Sequence, residues 1–244
     1  MTQLSVQYVD RFHQAQRIAQ PASWARNHYM AKLLRTHFTA VARKYLAQRD
    51  AATLMDLGCG NMPWRSLFEP HISQYIGIDL PGNAHASIQL DAAGRADAPD
   101  AAADAVLSVQ VLEHVAEPQQ YLAEARRLIK PDGLLILTTH GYWKYHPDPL
   151  DLWRWTGDGL RCELDRAGFE LREIRGLMGL AASGIQLAQD GLWPRLPRFL
   201  RPPVGWIAQH AIMALDRITS DQQRQRDAAV YLAVAAPRPP DTES

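Results

Sequence analysis

Three carboxylates stand where short apolar runs end in the first half of the chain. Asp56 lies within Thr53-Leu54-Met55-Asp56-Leu57, Asp79 closes Tyr75-Ile76-Gly77-Ile78-Asp79, and Asp91 follows Ser87-Ile88-Gln89-Leu90. The first run continues into Gly58-Cys59-Gly60 and then Pro63. Glycine admits positive φ and lets a ligand approach the backbone closely. Proline suits the first turn of a helix, where its missing N–H is not needed. Strand, glycine turn and helix start form a cradle for a nucleotide-like ligand. A dinucleotide fingerprint would carry a third glycine, and Pro63 stands at that position. Asp56 would repel a pyrophosphate, so a ligand bearing a cation or an amine fits better. Asp79 lies 19 residues beyond Gly60, where a carboxylate can accept hydrogen bonds from both hydroxyls of a ribose; Leu80 belongs to the same rim. Asp91 can meet the exocyclic amine of adenine, and Ala92 offers a backbone N–H to a ring nitrogen.

The elements that must position these groups follow from periodicity. Strands are predicted at Thr53–Leu57, Tyr75–Asp79, Ala86–Leu90, Ala105–Gln110, Leu134–Thr139, Phe169–Gly176 and Ala229–Ala235. Helices are predicted at Pro63–Phe68, Gln119–Ile129 and Gly157–Ala167. Alternation of strand and helix implies parallel pairing in a doubly wound α/β sheet. Pro131-Asp132-Gly133 reads as the turn between one helix and the next strand. Trp24 to Leu46 has a helical apolar period, with Ser23 as the expected N-cap. Residues 177–226 break the rhythm with Trp193-Pro194-Arg195-Leu196-Pro197-Arg198-Phe199-Leu200-Arg201, then an apolar helix from Val204 to Ile218. The reading divides the chain into an N-terminal helical cover (1–50), a ligand-binding core (51–176), a helical insertion (177–226), a final strand (227–236) and a disordered tail (237–244).

Composition narrows the function. The 244 residues hold 26 Lys+Arg and 26 Asp+Glu, a balance that gives no electrostatic case for nucleic acid as a partner. Cys59 and Cys162 stand far apart with no metal-ligand spacing, which favours a reducing, cytoplasmic setting over a disulfide framework. The start of the chain lacks a signal pattern, and no apolar run is long enough to span a bilayer.

Taken in order, several pieces resemble the class I S-adenosylmethionine-dependent methyltransferases. They are Asp56-Leu57-Gly58-Cys59-Gly60, Gly77-Ile78-Asp79, Leu90-Asp91, Ser108-Val109-Gln110-Val111-Leu112-Glu113-His114-Val115 and Leu128-Ile129-Lys130-Pro131-Asp132-Gly133. The likeness is to the small-molecule branch, with one departure: Asp132 stands in a turn that usually reads Pro-Gly-Gly. The resemblance implies a Rossmann-like, seven-stranded sheet whose last strand is antiparallel, with S-adenosylmethionine over the carboxyl ends of the first strands. Asp56, Gly58 and Gly60 would face the methionine part, Asp79 the ribose, and Asp91 with Ala92 the adenine. Ser108 and Gln110 would lie near the methionine amine or the methyl group. The cofactor's ammonium and sulfonium tolerate carboxylates near the turn.

On the acceptor side, Thr138 to Thr156 is dense in aromatic, His and Asp residues, a pocket candidate at the carboxyl edge of the sheet. Pro149, Asp151, Trp153, Arg154 and Thr156 resemble a segment of methyltransferases associated with bacterial glycan synthesis, which implies a glycan or small-molecule acceptor. A core role for Trp153 and Trp155, with Asp151 paired to Arg154, is the competing account. For O-methylation a general base would assist. His140 is the first candidate because it ends the fifth strand beside the expected methyl site, followed by His146, Asp148 and His114. The scattered His and Asp make a weak metal set, so no metal is predicted. The segment 193–218 is expected to pack on the sheet, with weak membrane-surface contact or a dimer seam as alternatives. Two rival functions stay open: a non-catalytic S-adenosylmethionine-binding scaffold and a nucleotide-dependent oxidoreductase.

Overall fold

The computed structural model describes residues 18–239. Residues 1–17 of the predicted N-terminal helical segment and 240–244 of the predicted tail lie outside the described residues.

One mixed sheet holds seven strands in the order β3-β2-β1-β4-β5-β7-β6. They are β1 (Thr53–Leu57), β2 (Gln74–Asp79), β3 (Ile88–Gln89), β4 (Ala103–Val109), β5 (Ile129–His140), β6 (Phe169–Gly179) and β7 (Ala228–Pro237). The first five pair in parallel, and β7 runs antiparallel to both β5 and β6. β4 is buried up to its last residue and β7 up to Pro237, because helices cover both faces; such strands read as continuous apolar runs. On one face Leu54, Leu107, Ile136 and Val234 meet α1 (His28–Tyr45) through Met30, Leu34 and Phe38. On the other, Met55, Val106, Leu135 and Ala233 meet α3 (Pro118–Leu128) and α4 (Gly157–Arg166) through Leu122, Leu128, Leu160 and Leu164. Neighbours in sequence thus feed opposite faces, as the two-residue strand period requires.

Local boundaries shift where tertiary packing overrides sequence signals. α1 begins after Asn27 with no side-chain cap, so Ser23 is not its N-cap. The Trp24 carbonyl instead docks so closely on Gly205 that a Cβ there would meet it at 2.1 Å. The helix after the glycine turn, α2 (Arg65–Phe68), starts two residues beyond Pro63. Of the predicted third strand only Ile88 and Gln89 pair with β2, at the edge of the sheet, and Leu90 forms an isolated antiparallel bridge to Ala96. Pro131-Asp132-Gly133 lies inside β5: pairing passes from Ala103–Ile129 to Ala105–Leu134, and the extra β5 residues form a bulge. Pro237 belongs to β7, and the Arg238 N–H donates to the Gly168 carbonyl at 2.8 Å, so the ordered chain runs past the predicted start of the tail. The insertion forms α5 (Leu180–Leu192) and α6 (Arg201–Arg217), followed by α7 (Asp221–Arg226).

Candidate active site

The strand order reverses between β1 and β4, and ligands of open α/β sheets bind outside the carboxyl ends of strands at such a point. The glycine turn sits there. Gly58 N–H and Cys59 N–H both donate to the Ile78 carbonyl, at 2.8 and 3.0 Å, which ties the turn to the end of β2. Gly58 has φ +81°, and a Cβ on it would lie 2.5 Å from Val111 Cγ2; no other residue type fits. Gly60 also has positive φ, with open space where a Cβ would be, so the bare backbone faces outward.

Asp79 is the hub of this rim. Its Oδ2 accepts from Gly60 N–H at 2.9 Å and Asn83 Nδ2 at 2.6 Å, and its Oδ1 accepts from Leu80 N–H at 2.8 Å. Asn83 Nδ2 also reaches the Gly60 carbonyl at 2.6 Å. Leu80 is exposed beside it, an apolar face next to a polar one. Leu90 N–H donates to the Asp79 carbonyl, so Asp91 and Ala92 follow directly on the same rim. The Asp91 Oδ1 accepts from Ala93 and Arg95 N–H groups, both at 2.9 Å, in an exposed turn.

Asp56 is set deeper. It is buried, accepts from Tyr75 Oη at 2.6 Å, and burial lifts its carboxyl to about 7, which the Tyr75 hydrogen bond only partly opposes. Ser108 is not on the rim: it is fully buried and shares a 2.7 Å hydrogen bond with Tyr121 Oη. Tyr121 Oη also donates to the Leu57 carbonyl at 2.9 Å, so this pair holds the chain just before Gly58. Gln110, the residue after β4, has φ +54°, a sparsely populated conformation for a non-glycine residue. Its N–H donates to Thr138, which ties β4 to β5 there.

The acceptor-side segment 141–156 has no regular secondary structure. It is pinned from within and from below. Arg154 grips both Asp151 oxygens at 2.6 Å and also donates to the Trp143, Lys144 and Trp153 carbonyls. Leu152 and Trp153 N–H donate to the Glu113 carbonyl, and Trp153 Nε1 donates to the Val115 carbonyl at 2.8 Å. His114 Nδ1 contacts the Leu150 carbonyl. Thr156 accepts from Gly159 N–H at 3.0 Å and caps α4, as the sequence predicts. Asp151, Trp153 and Arg154 therefore shape the segment.

Three histidines gather below it. The His146 ring lies 5.8 Å from that of His114 and 6.0 Å from that of His140. His140 is fully buried, stacks on Trp143 at 5.5 Å, and is driven down to about 3 by desolvation. Its Nδ1 lies 3.0 Å from Glu113 Oε1, yet the approach is too poorly directed for a hydrogen bond. Burial pushes Glu113 up to about 7, so both partners favour their uncharged forms. His140 exposes no surface to an acceptor, which counts against it as the base because a base needs reach. His146 is exposed, and partial desolvation and the neighbouring His114 hold it below the ordinary histidine value. Asp148 is exposed on the same segment and acts on the His146 charge. Among the described residues no group of three or more His, Cys, Asp or Glu could hold a metal ion. A cavity of about 230 Å³ opens beside the segment, lined by Tyr142, Trp143, Trp155, Leu187 and Arg226 among others. A larger one, about 600 Å³, lies away from the rim against edge strand β6.

Tyr75, Asn83, Glu113 and Tyr121 are site residues that sequence reading missed. Tyr75 is one diagonal step from Asp56 across the β1–β2 pair, a relation that only register reveals.

Known proteins resemble this chain in sequence and in fold. A family described as "Methyltransferase domain" matches residues 26–174. The ubiquinone biosynthesis O-methyltransferase of Azorhizobium caulinodans is 27% identical over 180 residues, 62% of this chain and 71% of that protein. Among solved structures, a chain of the Haloferax volcanii complex between the Trm112 methyltransferase activator and a methyltransferase superposes with a TM-score of 0.57 at 17% identity, covering 96% of this chain and 99% of that one. Phosphoethanolamine N-methyltransferase 2 of Haemonchus contortus, solved with S-adenosyl-L-methionine, superposes with a TM-score of 0.52 at 11% identity, covering 92% of this chain and 60% of that one.

Proposed function

The chain belongs to the methyltransferase-domain family and is an S-adenosylmethionine-dependent methyltransferase, and on that premise we propose that it methylates a hydroxyl oxygen of a small organic acceptor held against segment 141–156. The residues present suit the cofactor: a bare-backbone turn at Gly58 and Gly60, a polar rim at Asp79 with apolar Leu80 beside it, and the buried carboxyl of Asp56 for a cationic group. In this reading Asp56, Gly58 and Gly60 serve the methionine end, Asp79 and Leu80 the ribose and adenine side, and Asp91 with Ala92 the far edge of adenine. Ser108 acts through Tyr121 on the turn, and Gln110 borders the methyl site. S-adenosylmethionine supplies a methyl group on a sulfonium, an electrophile that needs alignment and dryness more than covalent help.

The observation that carries the acceptor side is exposed His146, held below the ordinary histidine value by partial desolvation and His114, on a segment that also carries Asp148 and presents Tyr142, Tyr145 and Trp153 outward. Aromatic faces hold a planar or sugar-like acceptor, while an imidazole nitrogen of His146 takes the hydroxyl proton. The name of the Azorhizobium relative supports oxygen as the target atom. A phenol fits the ring faces as well as a sugar does, and the glycan-type motif residues are spent on shaping the segment.

The test is an acceptor screen with phenolic and sugar hydroxyls that reads S-adenosylhomocysteine release. With the acceptor it finds, His146→Ala should lower kcat by about a hundredfold and leave cofactor affinity unchanged. Unchanged kcat removes His146 as the base. Tight cofactor binding with no turnover on any acceptor favours the scaffold reading.

A further inference from the structure

The hairpin of α5 and α6 is built inside out. Its buried seam is largely polar, with Ala182, Gly205 and Ile212 the apolar positions in it. α5 turns Ser183, Gln186, Gln189 and Asp190 inward, and α6 turns Gln209 and Asp216 inward. These groups satisfy one another and the chain around Tyr29. Gln209 Nε2 donates to Gln189 Oε1 at 2.8 Å and to the Arg26 carbonyl at 2.9 Å, while its Oε1 accepts from Tyr29 N–H at 2.8 Å. Asp190 pairs with Arg26 at 2.9 Å and with Lys144 at 3.2 Å. Asp216 accepts from Tyr29 Oη and Gly179 N–H, each at 2.7 Å. Most of the large apolar side chains point the other way, although Ile212 is buried and Ile185, Met213 and Leu215 pack against the core. Leu187, Leu192, Phe199, Trp206, Ile207 and Ile218 are all exposed, with Ile207 at 62%, Phe199 at 77% and Ile218 at 81%. Soluble helices arrange these two faces oppositely, and large apolar groups gathered on one exposed element mark an interaction surface.

The charges identify the occupant. Between residues 180 and 218 the only carboxylates are Asp190 and Asp216, and both are buried. The cations of that stretch are Arg195, Arg198, Arg201 and Arg217. None of them has an ion-pair partner among the described residues. Arg195 and Arg201 donate only to the Gly191 and Leu196 carbonyls, and Arg201 also lies over Trp193. The outward surface of this stretch is therefore apolar and cationic with no exposed carboxylate. A two-fold dimer through this patch would set it against itself and bring arginine against arginine. A surface of anionic lipid headgroups over an apolar interior matches both features at once. Phosphates meet the guanidinium groups, and the aliphatic and indole side chains enter the acyl boundary. No helix among the described residues is long and apolar enough to cross a membrane, so the contact lies in the interface plane.

We propose that the α5–α6 hairpin docks the protein on an anionic lipid surface through Leu192, Phe199, Trp206, Ile207 and the surrounding arginines. The test uses the full chain with vesicles of phosphatidylcholine alone and of phosphatidylcholine with phosphatidylglycerol, read by co-sedimentation at low and high salt. Wild type should pellet with the anionic vesicles, with weaker binding at high salt and little binding to phosphatidylcholine alone. The triple variant Arg195→Gln, Arg198→Gln, Arg201→Gln should lose at least about tenfold in affinity and most of the salt dependence. Trp206→Ser with Ile207→Ser should lose about tenfold or more on every vesicle. Arg195, Arg198, Trp206 and Ile207 are exposed and Arg201 is half-buried, and unchanged thermal unfolding will show that the variants remain folded. Equal binding by wild type and both variants, or no binding by wild type, overturns the proposal. A concentration-dependent dimer in sedimentation velocity that Trp206→Ser with Ile207→Ser abolishes, without vesicle binding, assigns the face to a second copy instead.

Discussion

On the proposed placement of the cofactor's cationic end at the glycine turn, the buried carboxyl beside it ties ligand affinity to pH. Asp56 is lifted to about 7 by burial in the free protein, so at lower pH it is protonated and neutral. A ligand whose ammonium faces it binds the ionised form better, and binding then releases a proton. Affinity for S-adenosylmethionine should therefore rise with pH, by about tenfold between roughly pH 5.5 and 7, as measured by calorimetry. Asp56→Asn should flatten that slope. An identical slope in the variant would remove Asp56 from the linkage. The residue types at the rim were legible because chemistry follows type: a carboxylate after an apolar run, a glycine where φ is positive. Their contacts were not. Ser108 looks like a ligand group by position, yet its hydroxyl is taken by Tyr121, which comes from helix α3. His140 looks like a base at a strand end, yet Trp143 covers it because the following segment folds back over β5.

Segment 141–156 shows how a stretch without helix or strand can still be rigid. Arg154 makes five hydrogen bonds within it, and the two to Asp151 form a fork that only a guanidinium can make. Arg154→Ala should speed amide hydrogen exchange across residues 141–156 and raise the acceptor KM, leaving protection of β1 and β4 unchanged. Arg154→Lys should restore little, since an ammonium cannot grip both oxygens. Exchange unchanged from wild type would show that the Glu113 and Val115 contacts suffice. Elements themselves were read well where the local pattern was unbroken, as at β1, α3 and α4. Boundaries moved where partners decide them. β3 is short because only Ile88 and Gln89 find partners on β2, and α1 starts late because Trp24 is held against Gly205.

At the scale of the whole molecule, a ligand that binds only the folded state stabilises it by mass action. S-adenosylmethionine at about 100 times its Kd adds roughly 2.7 kcal/mol, which in a domain of this size raises Tm by about 5–10 °C. NADH at the same concentration should leave Tm unchanged; a comparable shift with NADH would revive a dinucleotide reading of the turn. The sequence by itself determined the α/β alternation, the glycine turn and the row of carboxylates, because each is a local pattern of type and spacing along one strand or turn. Only the tertiary structure decided which polar groups meet. Tyr75 reaches Asp56 from the neighbouring strand, and Glu113 holds a segment almost 40 residues onward. Tertiary structure also decided that the α5–α6 hairpin buries glutamines and exposes tryptophan and isoleucine. Helical periodicity shows that a helix has two faces, but which one turns inward depends on what it packs against, and here the partners are Tyr29, Arg26 and each other.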